Sequence, residues 1–254
     1  MLAHCSAVTM GGVARTPTTE VIEILKSIKP LLEKATENIQ LHLFGVARLE
    51  AIRVFRELGV TSFDSASPIR SAWLGSKTNY RDSNWNGYSA IRLPYFTRDK
   101  RFKSLINQEL YTESDLSERE ENIKILLKRF SEEKNRTPEE VTEAFIYLYD
   151  ELVPETPDRT NDYLKTLRDR PWEKCECKIC RDIGIEVIIF RGNNRNRRRG
   201  FHNTYVFYKI LKKLLFDSSY TIEGEISLQG NSSADNDGER KSGSKKTKTL
   251  FDFV

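Results

Sequence analysis

Four residues of this chain occur twice. Gly12-Val13-Ala14-Arg15 returns 33 positions later as Gly45-Val46-Ala47-Arg48. Each copy stands where strand-like text hands over to helix-like text. AVTM (7–10) precedes the first copy, and Val21, Ile24, Leu25 and Ile28 follow it at helical spacing. QLHLF (40–44) precedes the second, and Leu49, Ile52, Phe55 and Leu58 follow. VTSF (60–63) opens a third unit and runs into Asp64. A four-residue match can arise by chance. The restrictive reading is a series of β/α units in one parallel sheet or barrel. In such folds the C-terminal ends of the strands share one face, and the loops there carry the chemistry. Gly11-Gly12, Phe44-Gly45 and Asp64 would then lie together.

Local signals place the boundaries. Thr16-Pro17 reads as a capping hydroxyl with proline at the first helical position. Pro30 breaks or kinks that first helix, and Gly59 closes the second. After Asp64 the text SASPIR reads as a rigid loop with Pro68, ending in Arg70. Residues 78 to 172 hold aromatic and polar loop text and then two helical stretches. The second of these opens on a capping box with proline, Thr137-Pro138-Glu139-Glu140. From Leu228 the composition becomes Gly, Ser, Asn, Asp and Lys, which reads as a disordered tail. It closes on LFDFV.

The charged fraction is 31% against 38% hydrophobic, and no apolar run approaches the ~20 residues of a membrane span. The first residues lack the basic start and apolar run of a signal peptide. A cytoplasmic chain without membrane attachment is expected. The cysteine pattern agrees, since a disulfide framework spreads an even number of cysteines along a small secreted chain. Here Cys175, Cys177 and Cys180 crowd together in CECKIC, with Cys5 far away.

Three thiolates and one imidazole make a closed tetrahedral site of the structural zinc type. His202, 22 positions after Cys180, supplies the imidazole, expected at a helix start. Chance clustering of reduced cysteines is the plain alternative. His4 and His42 read as ordinary residues, although His42 lies in a strand near the presumed active face. Between Cys180 and His202 runs RGNNRNRRRG (191–200), with Arg191, Arg195, Arg197, Arg198 and Arg199. It reads either as a solvated loop or as a loop that holds arginine forks toward nucleic-acid phosphates.

These motifs, in this order, resemble the tRNA-guanine transglycosylase superfamily. The matches are Gly11-Gly12-Val13-Ala14, Phe44-Gly45-Val46, Phe63-Asp64 with Pro68 and Arg70, and the zinc set followed by Asn203-Thr204-Tyr205. SASPIRSAWLGSKTNY looks closest to the branch that puts 7-deazaguanines into DNA. The resemblance implies an α/β fold: the C-terminal portion of a (β/α)8 TIM-type barrel, about three β/α units, with a helical insertion and a zinc-binding subdomain. It implies a pentosyltransferase that exchanges guanine for a 7-deazaguanine in DNA or, less favoured, tRNA. Asp64 would be the nucleophile at the sugar C1′, because a carboxylate is ionised at neutral pH and can both form and leave an ester-like bond. The Gly11–Ala14 backbone would read the base edge, with Gly45 at the adjoining strand end. Phe44 would stack on the base, and Arg70 would contact the backbone near the target nucleotide. Zn2+ is the implied metal.

The matches begin at the family's sixth strand and cover roughly residues 5–80 and 170–215. The family's second catalytic aspartate has no counterpart in this chain. A separately encoded N-terminal barrel half is therefore expected as a partner. The expected organisation is barrel units over 1–80, a mostly helical insertion over 81–170, a zinc subdomain with a basic loop over 171–227, and a tail over 228–254. In the tail, Leu250, Phe253 and Val254 resemble a sliding-clamp-binding peptide. The alternative function is a non-catalytic zinc module that docks nucleic acid or a catalytic partner.

Overall fold

The computed structural model describes residues 6–34, 39–75, 77–93, 100–150 and 159–228. Cys5, His4 and the terminal motif with Leu250, Phe253 and Val254 lie outside them. Strand β1 (Ala7–Met10), helix α1 (Thr18–Glu33), strand β2 (Gln40–Leu43), helix α2 (Ile52–Glu57) and strand β3 (Val60–Phe63) follow one another. Both strand pairings are parallel, in the order β1-β2-β3. The expected β/α units are present. Helices cover one face of this sheet. Leu41 and Leu43 point into a core with Val21 and Leu25 of α1 and Ile52 and Phe55 of α2. On the opposite face Thr9, His42 and Ser62 oppose one another in register, exposed or half-buried. Sheets of parallel strands are normally covered on both faces.

Some boundaries move. Pro17 sits before α1 with extended ψ of 148°, and Thr16 makes no side-chain cap. The Thr16 carbonyl instead accepts from Arg48 at 2.5 Å, and the Thr18 hydroxyl at 2.9 Å. Pro30 does not end α1. It lies near the helix C-terminus on an exposed side, where water can satisfy the carbonyl it leaves free, and Lys34 N–H still bonds Pro30 O at 3.3 Å. The loop expected after Asp64 is largely helix α3 (Ser67–Leu74), with Pro68 in its first turn and Arg70 inside it. Proline is tolerated there because first-turn N–H groups have no helical partner.

A hairpin follows, β4 (Tyr80–Arg81) against β5 (Gly87–Tyr88), and then β6 (Ile91–Arg92). Helices α4 (Lys100–Asn107), α5 (Glu113–Glu133), α6 (Pro138–Asp150), α7 (Thr160–Asp169) and α8 (Lys178–Ile183) come next. The capping box at α6 is formed: Thr137 N–H donates to Glu140 Oε2 at 2.9 Å and Glu140 N–H to Thr137 Oγ1 at 3.2 Å. A second box, Thr112 with Asp115, starts α5. Strand β7 (Ile189–Phe190) pairs with β6 in parallel, and helix α9 (Gly192–Phe216) is the last helix of the described residues.

Residues 81–170 and 171–227, expected as separate units, share one hydrophobic core. Ile123 and Phe130 of α5 and Tyr163 of α7 pack with Cys180, Val187 and Ile189. Helix α9 joins the two cores. Its Val206, Phe207, Ile210 and Leu214 belong to the sheet core, whereas His202 lies one turn earlier in the cysteine cluster. Among the described residues, no helix is long and apolar enough to cross a membrane.

Candidate functional site

The turns leaving β1 and β2 are neighbours. A Cβ added to Gly45 would lie 3.1 Å from the Ala14 Cβ. Gly12 and Gly45 both have positive φ, +83° and +74°, a region that L side chains rarely enter. Val13 and Val46, the next residues, both turn into the sheet core. The repeated tetrapeptide is thus one kind of strand exit built twice. Only the second copy's arginine bridges the turns: Arg48 donates to Ala14 O at 3.4 Å and Thr16 O at 2.5 Å.

Asp64 extends β3 by one rung, its N–H donating to Leu43 O at 3.3 Å. The side chain is 60% exposed. Oδ1 accepts from the Gly45 N–H at 2.9 Å, and His42 Nε2 approaches it at 3.4 Å. Oδ2 has no hydrogen bond among the described residues. Phe44 is half exposed beside this carboxylate, and its ring meets His42 edge-on at 4.7 Å. The structure therefore gathers Gly11, Gly12, Val13, Ala14, Phe44, Gly45 and Asp64 at one end of the sheet. Arg70 stands exposed on α3, one helical start beyond Asp64. His42 was set aside in the sequence. Its signal was the alternation in QLHL, which turns His42 away from the buried Leu41 and Leu43.

The second constellation is the cluster Cys175, Cys177, Cys180 and His202, whose donor atoms all lie within 4.8 Å of one another. His202 Nδ1 is 3.6, 3.3 and 3.4 Å from the three sulfurs in turn. Zinc bonds of ~2.3 Å to sulfur and ~2.05 Å to nitrogen at the tetrahedral angle put S and N ~3.5 Å apart. The donor set fits zinc. The opposite ring nitrogen, Nε2, lies 2.7 Å from Arg81 O. That bond puts the proton on Nε2 and leaves Nδ1 free to ligate. Cys177 caps α8, its sulfur accepting from Cys180 N–H at 3.3 Å, where the helix dipole favours a thiolate. Without a cation the sulfurs compete for protons. Hydrogen bonds from Cys177 and Cys180 hold Cys175 well below the usual thiol range, and the Cys175 and Cys177 sulfurs push Cys180 far above it. A divalent cation relieves that conflict.

The surroundings of the cluster were not legible in advance. Tyr80 stacks on the His202 ring at 4.1 Å, with its hydroxyl 3.2 Å from Pro171 O and 3.3 Å from Cys180 Sγ. Asn203, fully buried, accepts from Arg81 N–H at 3.1 Å and donates to Asn79 O at 2.8 Å and Ser71 Oγ at 3.0 Å. Asn203 thereby fixes β4 and α3 around the histidine. His202 stands well inside α9 rather than at a helix start.

Of the segment 191–200, expected as a loop, all but the extended Arg191 form the first part of α9. Arginine is a good helix former, and Gly200 is used for packing. Three of its five arginines are engaged within the protein. Arg191 meets the buried Glu120 at 2.6 Å, and Arg195 meets Glu186 at 2.7 Å. Arg199 is fully buried. It donates to Ala72 O (2.8 and 3.1 Å), Val187 O (3.0 Å), Ile189 O (3.1 Å) and Asn196 Oδ1 (2.6 Å). Its guanidinium holds α3 and β7 together and does not reach a surface phosphate. Arg197 and Arg198 are exposed.

No family model matches this chain. One curated protein does match, at 40% identity over 211 residues: a protein of Salmonella montevideo named DNA-guanine transglycosylase. The chain is similar to a guanine transglycosylase. The aligned part is 82% of this chain and 50% of the relative, so the chain spans about half the length of the curated relative it matches. This similarity supports the resemblance to a transglycosylase, and the relative's name agrees with a guanine-exchanging transferase.

Proposed function

We propose that this chain carries the nucleophile-bearing part of a base-exchange transglycosylase that replaces guanine with a 7-deazaguanine in nucleic acid. The observation that carries the reading is Asp64: one oxygen is held by the Gly45 N–H and the other has no hydrogen bond among the described residues, at the strand end shared with the Gly11–Ala14 turn. Oδ2 attacks the sugar C1′ while the bond from C1′ to the guanine nitrogen breaks, and guanine leaves with the bonding pair. The product is a glycosyl ester of Asp64. The expelled guanine takes up a proton from water; the incoming 7-deazaguanine gives its ring N–H proton to water as its nitrogen bonds to C1′, and the carboxylate departs. Ester formation suits the oxocarbenium-like centre of such reactions. The glycine backbone of Gly11-Gly12 admits a base edge closely, and the exposed Phe44 ring offers a stacking face.

Cys175, Cys177, Cys180 and His202 would hold a zinc ion, which in this site would supply structural cross-linking between the cysteine turn at α8 and helix α9. DNA is favoured as substrate because the similar protein is named for DNA. Arg197, Arg198 and Arg70 are exposed and available to meet its backbone.

In this proposal a partner polypeptide supplies the remaining barrel strands. Half of the relative's length lies outside the match, and among the described residues no strand pairs with the outer edge of β1 or β3, while Thr9 and Ser62 on the polar face are exposed. An open cleft of about 430 Å³ borders β3 between Val60 and Phe63, with Leu215 and the strongly exposed Phe216 on its rim. A neighbouring strand and helix would cover it. The second reading, a non-catalytic zinc module, is favoured by the same half-length match. One experiment separates the two. Exchange of labelled guanine into DNA is measured with the completing polypeptide present. Wild-type chain should support it, Asp64→Asn should abolish it with the fold intact, and equal rates for both would select the non-catalytic module.

A further inference from the structure

We infer that His42 is a positioning residue for the Asp64 carboxylate, and that Ser62 selects the tautomer that allows this. The inference rests on Asp64 being the reacting group. His42 and Ser62 are register partners on β2 and β3, just past an irregularity between Leu41 and His42. Asp64 lies two residues after Ser62, on the same side of the chain. The three side chains form a series: Ser62 Oγ is 2.9 Å from His42 Nδ1, and His42 Nε2 is 3.4 Å from Asp64 Oδ1.

A neutral imidazole has one N–H and one lone pair. With the proton on Nδ1, the ring would donate to Ser62 and aim its lone pair at the carboxylate, which is repulsive. With the proton on Nε2, Ser62 donates its hydroxyl to Nδ1 and the ring donates to Oδ1. The second arrangement satisfies all three groups. The Gly45 N–H already donates to the same oxygen at 2.9 Å. Two donors on Oδ1 gather charge there and fix the plane of the carboxylate, so that Oδ2 faces the open side. The edge-on ring of Phe44 at 4.7 Å bounds the imidazole's movement. The 3.4 Å separation is longer than an ordinary N–H···O bond; such contacts tighten when substrate binds. The half-buried imidazole on the polar sheet face thus has a task at the carboxylate beside it.

The test has two arms on the full-length chain. In the first, long-range nitrogen–proton spectra resolve the three imidazoles of the sequence, and His42→Gln assigns the signals. His42 should carry its proton on Nε2, and Ser62→Ala should turn that single form into a mixture. A proton on Nδ1 in the wild type overturns the inference, whatever the enzyme does. In the second arm, exchange kinetics are measured with the completing polypeptide. His42→Ala should lower kcat by about 10²-fold, the scale of a misplaced reacting group, with KM unchanged. His42→Gln, whose amide N–H reaches the same place, should recover most of the loss. Equal damage from both, or a change in KM alone, would reduce His42 to packing. If Asp64→Asn exchanges normally, the nucleophile reading itself fails. If Asp64→Asn is dead and His42→Ala is wild-type, only the role of His42 fails.

Discussion

At the scale of single residues, the cysteines and the arginines were not equally readable. Thiolates at C-x-C-x-x-C spacing have few uses in a chain without a disulfide pattern, so Cys175, Cys177, Cys180 and His202 could be grouped from sequence, and the fold brings all four within reach of one ion. Removing one ligand should release the metal. Purified Cys177→Ser should hold far less than one zinc per chain, and the wild type should lose zinc on acidification, because protons compete for the thiolates and the imidazole. Elemental analysis across a pH series checks both, and full zinc in the variant would refute the site. Arginines at 191–199 invite a surface reading, yet Arg199 is buried under five hydrogen bonds to protein oxygens. Nothing in an Arg-Arg-Arg run marks which member turns inward. Arg199→Ala should cost ~3 kcal/mol or more, because carbonyls of Ala72, Val187 and Ile189 lose their donors and a large cavity opens. Arg199→Lys should recover little, since one ammonium does not reproduce the fork. Denaturant unfolding of both variants measures this.

At the scale of elements, α9 organises the molecule. Its length was hidden by glycines and asparagines in RGNNRNRRRG, which read as loop. The packing explains the glycine: a Cβ at Gly200 would fall 2.8 Å from Ile69 Cγ1 and 3.0 Å from Ile69 O. Backbone cannot step aside as a side-chain end can, so Gly200→Ala should destabilise by ~1–3 kcal/mol. It should also loosen the α3–α9 contact that sets where Arg70 stands. Thermal or denaturant unfolding decides it; a neutral result would mean that α3 shifts freely. The exposed Arg197 and Arg198 belong to the same helix. Replacing both by Gln should lower the slope of log affinity against log salt for DNA by about one unit per lost phosphate contact, with the fold unchanged. An unaltered slope would place DNA elsewhere. Arg195→Gln is the control within the helix, because its partner is Glu186 at 2.7 Å.

At the scale of the whole molecule, the three parallel strands ask for neighbours. Strand edges with unpaired N–H and C=O groups recruit other strands, and among the described residues the polar row Thr9, His42 and Ser62 is exposed or half-buried on one face. The chain produced alone should self-associate or bind the polypeptide that supplies the rest of the relative's length. Co-expression should give a one-to-one complex in sedimentation, and Phe216→Glu, beside the β3 cleft, should weaken it. A monodisperse, stable monomer that ignores that polypeptide would count against the split enzyme. Sequence alone determined the β/α alternation, the strand exits at Gly12 and Gly45, the capping box at α6 and the grouping of Cys175, Cys177, Cys180 and His202. These depend on local backbone preference and on residue chemistry over short spacings. The tertiary structure decided what depends on distant pairs. It set the register that brings His42 to Asp64, the burial of Arg199 among carbonyls of three segments, the stacking of Tyr80 on His202, and the single core shared by residues 81–170 and the metal cluster. Contacts of that kind are fixed by how helices and strands pack, and no short stretch of the chain carries their geometry.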